Sequence, residues 1–277
     1  MEEALLLPEA VPAPLVYPTL KESWAALGWF LLITMGLVLL VLLPIKAIFH
    51  VTGLAKSVLT ISIAVLSNGV LVLWLRRRTA AGRWLGLRWR GPRRPWVAFG
   101  LLLPIVPALA VVLSVQGFLR LPRWSAGKLL AELAAHPALA LVLGCVAAPI
   151  LEEMLFRGVL LPGLLRNYRP AVAIGQSALL FGIFHFNPAQ SLNAFFIGLL
   201  LGWVYYQSRS LWLCIGLHGL YNALAFGANR LPGLANAKQL SALMQQPSYA
   251  LLWLAAALVL AVSLLVMARS QATPTST

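Results

Sequence analysis

The sequence contains no aspartate, and its seven acidic residues are all glutamates. The absence of Asp excludes a catalytic pair of aspartates. The chain also lacks an HExxH sequence, the usual helical zinc motif of metalloproteases, and a GxSxG sequence around a serine nucleophile. Only two cysteines occur, Cys145 and Cys214, and both lie within apolar runs, so we expect no structural disulfide.

Charged residues are scarce as well, at 10% of the 277-residue chain, whereas 61% of the residues are hydrophobic. A soluble domain carries about 25% charged residues. A membrane-spanning helix needs about 20 mostly apolar residues. Eight segments meet this need: 25–48, 57–75, 96–118, 138–160, 171–188, 190–207, 210–228 and 249–267. Because backbone polar groups within lipid must bond inside their own segment, we predict an all-α, polytopic transmembrane bundle of about eight helices.

The basic residues lie mainly in short segments between these predicted spans, and segment 76–94 alone holds eight arginines. The positive-inside rule places that segment in the cytoplasm, and eight spans then place both termini there too. We therefore interpret the net charge of +14 as a topology signal, with membrane lipid as a partner and no nucleic-acid partner. The compact size and the excess of Arg over Lys favour a bacterial cytoplasmic (inner) membrane.

Four regions follow from this organisation. Residues 1–24 contain several prolines and no basic signal-peptide region, which predicts a disordered cytoplasmic lead-in. Residues 25–137 hold the first three helices and the basic loop, 138–228 hold the predicted catalytic core, and 229–277 hold a loop, the last helix and the tail.

The fourth span carries Glu152, Glu153 and Arg157 near its end. Ionisable residues within a membrane are costly, so they are candidates for function. Adjacent helical residues point about 100° apart, so the two carboxylates face different directions. Glu153 and Arg157 have the favourable i,i+4 order for an ion pair, which leaves Glu152 free to exchange protons. The Leu-rich stretch 159–165 predicts that this helix extends past residue 160.

Two other spans carry histidine. His185 follows Phe181 and Gly182 in the fifth span, where the glycine would allow a neighbouring helix to approach closely. His218 and Asn222 share one face of the seventh span. A lone helical histidine such as His185 is more often a satisfied core residue than a ligand, and His218 and Asn222 could instead form interhelical hydrogen bonds that hold the bundle together. Neither motif is specific by itself.

The three sites together are more informative. One carboxylate, two imidazoles and an amide are the components of water activation and oxyanion stabilisation. We therefore expect Glu152, His185 and His218 to converge on one hydrated cavity between spans four, five and seven. The depths of the two histidines along their spans disagree, which indicates either that the fifth helix starts below the membrane interface or that the predicted span limits are wrong.

These residues resemble the CPBP (Abi) family, which includes type II CAAX prenyl endopeptidases and bacteriocin-processing proteins. The family's motifs are Glu-Glu-x-x-x-Arg, Phe-x-x-x-His and His-x-x-x-Asn or Asp, on separate membrane helices. Residues 152–157, 181–185 and 218–222 match them in order. The resemblance covers residues 138–228 and implies an intramembrane endopeptidase that cleaves a peptide or protein substrate, with prenylated and membrane-associated proteins among the candidates.

The resemblance also implies roles for the matched residues. Glu152 would be the general base that activates water, and His185 would position that water. His218 and Asn222 would bind the oxyanion or support the site, while Glu153, Arg157 and Phe181 would support it. A Zn²⁺ ion bound by Glu152, His185 and His218 is compatible with these residue types.

Two other functions remain open from the residues alone. Buried Glu and His are also the parts of a proton relay or a proton-coupled transporter. The same fold could instead serve as a non-catalytic membrane partner, such as an immunity factor, in which the polar groups only hold helices together.

Overall fold

The computed structural model of the chain describes residues 16–78, 103–114, 135–228 and 245–272, with positions 116, 119, 121, 122, 230, 242 and 244. All regular secondary structure in these residues is helical, which confirms the all-α prediction. Each of the eight predicted spans overlaps one continuous helix of the structure. Residues 79–94 of the predicted basic loop lie outside the described part of the chain.

These helices are α1 (Leu20–Phe49), α2 (Gly53–Arg78), α3 (Ile105–Ser114), α4 (Pro137–Asn167), α5 (Pro170–Ile183), α6 (Pro188–Ser208), α7 (Leu211–Ala228) and α8 (Pro247–Ala272). Among the described residues, five of them, α1, α2, α4, α7 and α8, are long and apolar enough to cross a membrane, while α3 and α5 are shorter apolar helices. Large apolar side chains of α1 and α8 are exposed on the outside of the bundle, as expected for contact with acyl chains. The chain therefore has the architecture of an integral membrane protein.

The lead-in predicted to be disordered through residue 24 is ordered from residue 16 onward, which corrects that prediction for its last part. Thr19 caps α1: its hydroxyl accepts the backbone N–H of Glu22, and the Glu22 carboxylate accepts the backbone N–H of Thr19 at 2.8 Å. The Asn167 side chain at the end of α4 accepts the N–H of Val16 at 2.9 Å. These local and long-range bonds hold the segment, and residues 1–15 are outside the described part.

Helix α4 runs for 31 residues and passes through the middle of the bundle, which confirms its predicted extension past residue 160. Its side chains Leu155, Phe156, Leu160, Leu161 and Leu164 are fully buried. It packs against α2, α5 and α7. The segment with both glutamates is therefore surrounded by protein on several sides.

Two stretches of α4, Leu141–Ala147 and Phe156–Leu160, are π-helical. Each ends just before a short α-helical segment whose second residue is a proline, Pro149 or Pro162. Proline has no N–H and its ring clashes with the carbonyl four residues earlier, so the preceding turn widens to i→i−5 bonding. The two glutamates lie on the α-helical segment between these widened turns.

Helices α5 and α6 form a tight hairpin, as the small residues predict. A Cβ on Gly182 would lie 2.7 Å from the carbonyl oxygen of Ser191, and one on Gly198 would lie 3.0 Å from the Cα of Ala178. Helix α5 ends at Ile183, five residues before the predicted limit of 188. The segment that links the two helices is a short turn, and it contains His185.

Candidate active site

A buried ion pair supports the site. An Arg157 guanidinium nitrogen lies 2.8 Å from Oε1 of Glu153, and both side chains are 0% exposed, as the i,i+4 spacing predicts. Arg157 also donates to the backbone oxygen of Gly198 at 2.9 Å and lies 4.9 Å from the centre of the Phe181 ring. The guanidinium thereby links α4 to both helices of the α5–α6 hairpin.

His218 lies between the two glutamates. Its Nδ1 is 2.9 Å from Oε1 of Glu153, and its Nε2 is 3.8 Å from Oε2 of Glu152. The carboxylates face different directions, as expected, but a single imidazole ring reaches both. Because Glu153 is paired with Arg157 and acts as an acceptor, we infer that Nδ1 of His218 carries the proton. The longer contact exceeds hydrogen-bonding distance, and one water molecule could bond to both atoms.

The two carboxylates differ in their access to water. The Glu152 side chain is 21% exposed, whereas that of Glu153 is 0% exposed. Of this pair, Glu152 alone can therefore exchange a proton with bound water, while Glu153 is committed to Arg157 and His218.

His185 lies in the turn after α5, rather than inside the fifth helix as predicted. Its Nδ1 is 2.9 Å from the carbonyl oxygen of Phe181. Since a carbonyl can only accept, Nδ1 is the donor, and the lone pair of Nε2 is left for another partner when the ring is neutral. The Phe181 ring packs edge to face against both imidazoles.

A cavity of about 60 Å³ lies beside these groups and can hold water, which needs roughly 10–15 Å³ per molecule. Its polar lining comes from His185, Gln190, Asn193, His218, Tyr221 and Asn222. His185, His218 and Asn222 thus meet as predicted, and Glu152 is adjacent through His218. The prediction that spans four, five and seven form the cavity needs correction, because its lining residues belong to α5, the turn after it, α6 and α7, with none from α4.

The side chain of Asn222 is engaged with the backbone of α4. Its Nδ2 donates to the carbonyl oxygen of Gly144 at 2.8 Å. In the i→i−5 pattern of this segment, Ala148 donates to the oxygen of Leu143. The next donor in that pattern would be Pro149, which has no N–H, so the Gly144 oxygen lacks a helical partner. Asn222 satisfies this carbonyl and fixes α7 against α4.

Sequence reasoning missed the contribution of α6. Asn193 Oδ1 accepts from the Tyr221 hydroxyl at 2.9 Å and from Nε2 of Gln116 at 3.1 Å. These polar residues stand in or beside apolar spans, which is the signal that could have found them. Their spacing matched no motif, so their proximity became apparent only from the packing of α6 against α7.

The described residues do not fit the zinc site that the residue types allowed. In the part of the chain for which positions are given, no group of three or more His, Cys, Asp or Glu side chains could hold a metal ion. The Nδ1 of His218 is already bonded to Glu153, and both cysteines are free thiols.

Comparison with known proteins and protein families relates part of the chain to a family model. Neither the curated proteins nor the solved structures include one that matches the chain. Residues 134–224, about a third of the chain, match the family model described as type II CAAX prenyl endopeptidase Rce1-like. The matched segment contains all three motifs and every residue that lines the cavity. This match supports a protease and supports the membership of the chain in the CPBP/Abi family of membrane proteins.

Proposed function

We propose that the chain is an intramembrane endopeptidase that hydrolyses a peptide bond with water activated by Glu152. The observation that carries the proposal is that His185 and His218 line one cavity with room for water, while Oε2 of Glu152 lies 3.8 Å from Nε2 of His218. The family match supports protease activity in general, and the roles of individual residues are part of the proposal.

Glu152 is the general base because it is the partly exposed carboxylate of the pair. It takes a proton from water as the water oxygen attacks the carbonyl carbon of the substrate. The resulting tetrahedral intermediate collapses, the C–N bond breaks, and the proton on Glu152 passes to the leaving amine. The neutral His185 ring accepts a hydrogen bond at Nε2 and thereby orients the attacking water.

His218 is placed to stabilise the charge that develops on the substrate oxygen. Glu153 accepts the Nδ1–H of His218 over 2.9 Å and orients the ring, while Arg157 balances the charge of Glu153. A protonated His218 presents Nε2–H beside Glu152 and the cavity. Donors held in place before the reaction are worth more in a dry site than in water, because they need no reorganisation.

The substrate is a peptide or protein segment that reaches the cavity from the membrane, with prenylated and membrane-associated proteins as candidates. The proposal places cleavage near the cytoplasmic side of a bacterial inner membrane, with both termini of the chain in the cytoplasm.

The test is cleavage of a library of internally quenched fluorogenic peptides by the purified full chain in lipid nanodiscs. The Glu152→Gln variant should lose about 10²–10⁴-fold in rate, the usual contribution of general acid–base catalysis. Glu22→Gln is the matched control, because Glu22 lies in the cap of α1 and outside the cavity. A chelator arm, with Zn²⁺ added back, reports any dependence on zinc.

Two results would count against the proposal: no cleavage by the wild-type protein, or undiminished cleavage by Glu152→Gln. The alternative function as a proton relay is tested by reconstituting the protein in liposomes and measuring proton flux with a pH-sensitive dye. Proton flux that depends on Glu152 while no peptide is cut would favour that function. A cellular phenotype that survives both Glu152→Ala and His218→Ala would favour a non-catalytic membrane partner.

A further inference from the structure

Asn222 lines the cavity but has only one amide hydrogen left for a substrate oxygen. The other Nδ2 hydrogen is bonded to the Gly144 oxygen, which proline leaves without a helical partner. An unpaired buried polar group costs about 1–3 kcal/mol, so this bond is expected to persist during the reaction and to fix the orientation of the amide. A second side-chain amide in the cavity would add a donor that does not depend on this bond.

Asn193 has the opposite arrangement. Its Oδ1 accepts from the Tyr221 hydroxyl and from the Gln116 amide, at 2.9 and 3.1 Å. Two donors on one oxygen set the orientation of the amide, and they leave both Nδ2 hydrogens without a partner among the described residues. Asn193 lines the cavity together with His185 and His218. Its donor group is therefore held in position and unused.

The N-terminus of α6 adds an electrostatic field that favours an anion in the cavity. Asn193 lies in the second turn of this 21-residue helix, and Gln190 in the first turn also lines the cavity. The N-cap residue Asn187 makes no side-chain capping bond. The positive end of the helix dipole is therefore unneutralised by a cap on the side where an anion would form.

We propose that Asn193 is a catalytic residue that donates a hydrogen bond from Nδ2 to the carbonyl oxygen of the scissile peptide and to the oxyanion formed from it. This inference rests on the proposed hydrolysis. It makes α6 the third wall of the site, with Tyr221 and Gln116 as positioning residues that act through the Asn193 oxygen. Asn222 then serves to hold α7 against the widened turn of α4.

The experiment measures kcat and KM on a cleaved library peptide, using the purified full chain in nanodiscs. Asn193→Ala removes the donor, and Asn193→Asp removes it while keeping the oxygen that Tyr221 and Gln116 contact. Asn68→Ala is the matched control, because this asparagine lies on α2 and outside the cavity. A phosphinate analogue of the same peptide, which mimics the tetrahedral intermediate, is measured as an inhibitor of each variant.

Both Asn193 variants should lose about 10²–10³-fold in kcat with little change in KM, as for the loss of one oxyanion donor. Binding of the phosphinate should weaken by a similar factor, and thermal unfolding of Asn193→Asp, which keeps the acceptor of Tyr221 and Gln116, should stay near that of wild type. A merely structural role would instead lower the unfolding temperature and leave phosphinate binding to the folded protein unchanged. A lower unfolding temperature with unchanged phosphinate binding would overturn the inference. A kcat within about threefold of wild type would overturn it too, because loss of an oxyanion donor should cost far more.

Glu152→Gln is run in parallel to separate the two proposals. If it abolishes cleavage while Asn193→Ala does not, the hydrolysis stands and the role of Asn193 falls. If wild type cleaves no peptide, or Glu152→Gln cleaves normally, the proposed hydrolysis falls and takes the role of Asn193 with it.

Discussion

Replacement of Arg157 by Met should strongly destabilise the bundle. The substitution keeps an apolar stem of similar length but removes the guanidinium that neutralises Glu153, 2.8 Å away, at a position with no exposed surface. It also removes the donor to the Gly198 oxygen. Because an uncompensated buried charge is left behind, we expect a loss of about 3–5 kcal/mol in the free energy of unfolding.

The double variant Glu153→Gln with Arg157→Met provides the internal check. It removes the buried anion together with its partner, so the stranded charge disappears. The loss in the double variant should be smaller than the sum of the two single losses, by about 1–3 kcal/mol, the coupling found for contacting residues. Arg157→Lys keeps the positive charge but lacks the planar guanidinium with its several donors. Its free energy of unfolding should therefore lie between those of Arg157→Met and wild type.

Unfolding would be followed by circular dichroism in mixed micelles with increasing sodium dodecyl sulfate. A loss below about 1 kcal/mol for Arg157→Met would refute the reasoning, since that is the range of exposed ion pairs. Strict additivity in the double variant would do so as well, because it would show that Glu153 gains nothing from its partner in the folded state.

Further substitutions examine the contacts between α7 and α4. Gly219→Ala should destabilise the protein and reduce cleavage, because the new Cβ would lie 2.5 Å from the Cys145 carbonyl oxygen and push the His218 helix away. Gly175→Ala, where a Cβ meets nothing within 4 Å, should be close to neutral in the same unfolding assay; equal losses for both glycines would contradict the steric explanation. Asn222→Ala should cost about 1–3 kcal/mol by leaving the Gly144 oxygen unpaired. A normal unfolding midpoint for that variant would argue against its bracing role.

Local spacing was sufficient to predict part of the site. The Glu153–Arg157 pair follows from i,i+4 geometry on one helix, and the close approach at Gly182 follows from the absence of a side chain. The end of α5 was not predictable in this way, because Phe184 and Phe186 continue the apolar run beyond Ile183. Hydropathy therefore carried the predicted span through the turn that holds His185.

The amino-acid sequence by itself determined that this protein is a helical bundle in lipid, since composition and apolar run length decide the solvent and the backbone form. It also determined which chemical groups are available, from the motifs on three helices. Only the tertiary structure decided that Asn222 faces a carbonyl released by proline and that Asn193 faces the cavity. Those outcomes depend on how α6 and α7 pack against distant segments, and no periodicity within one helix encodes that packing.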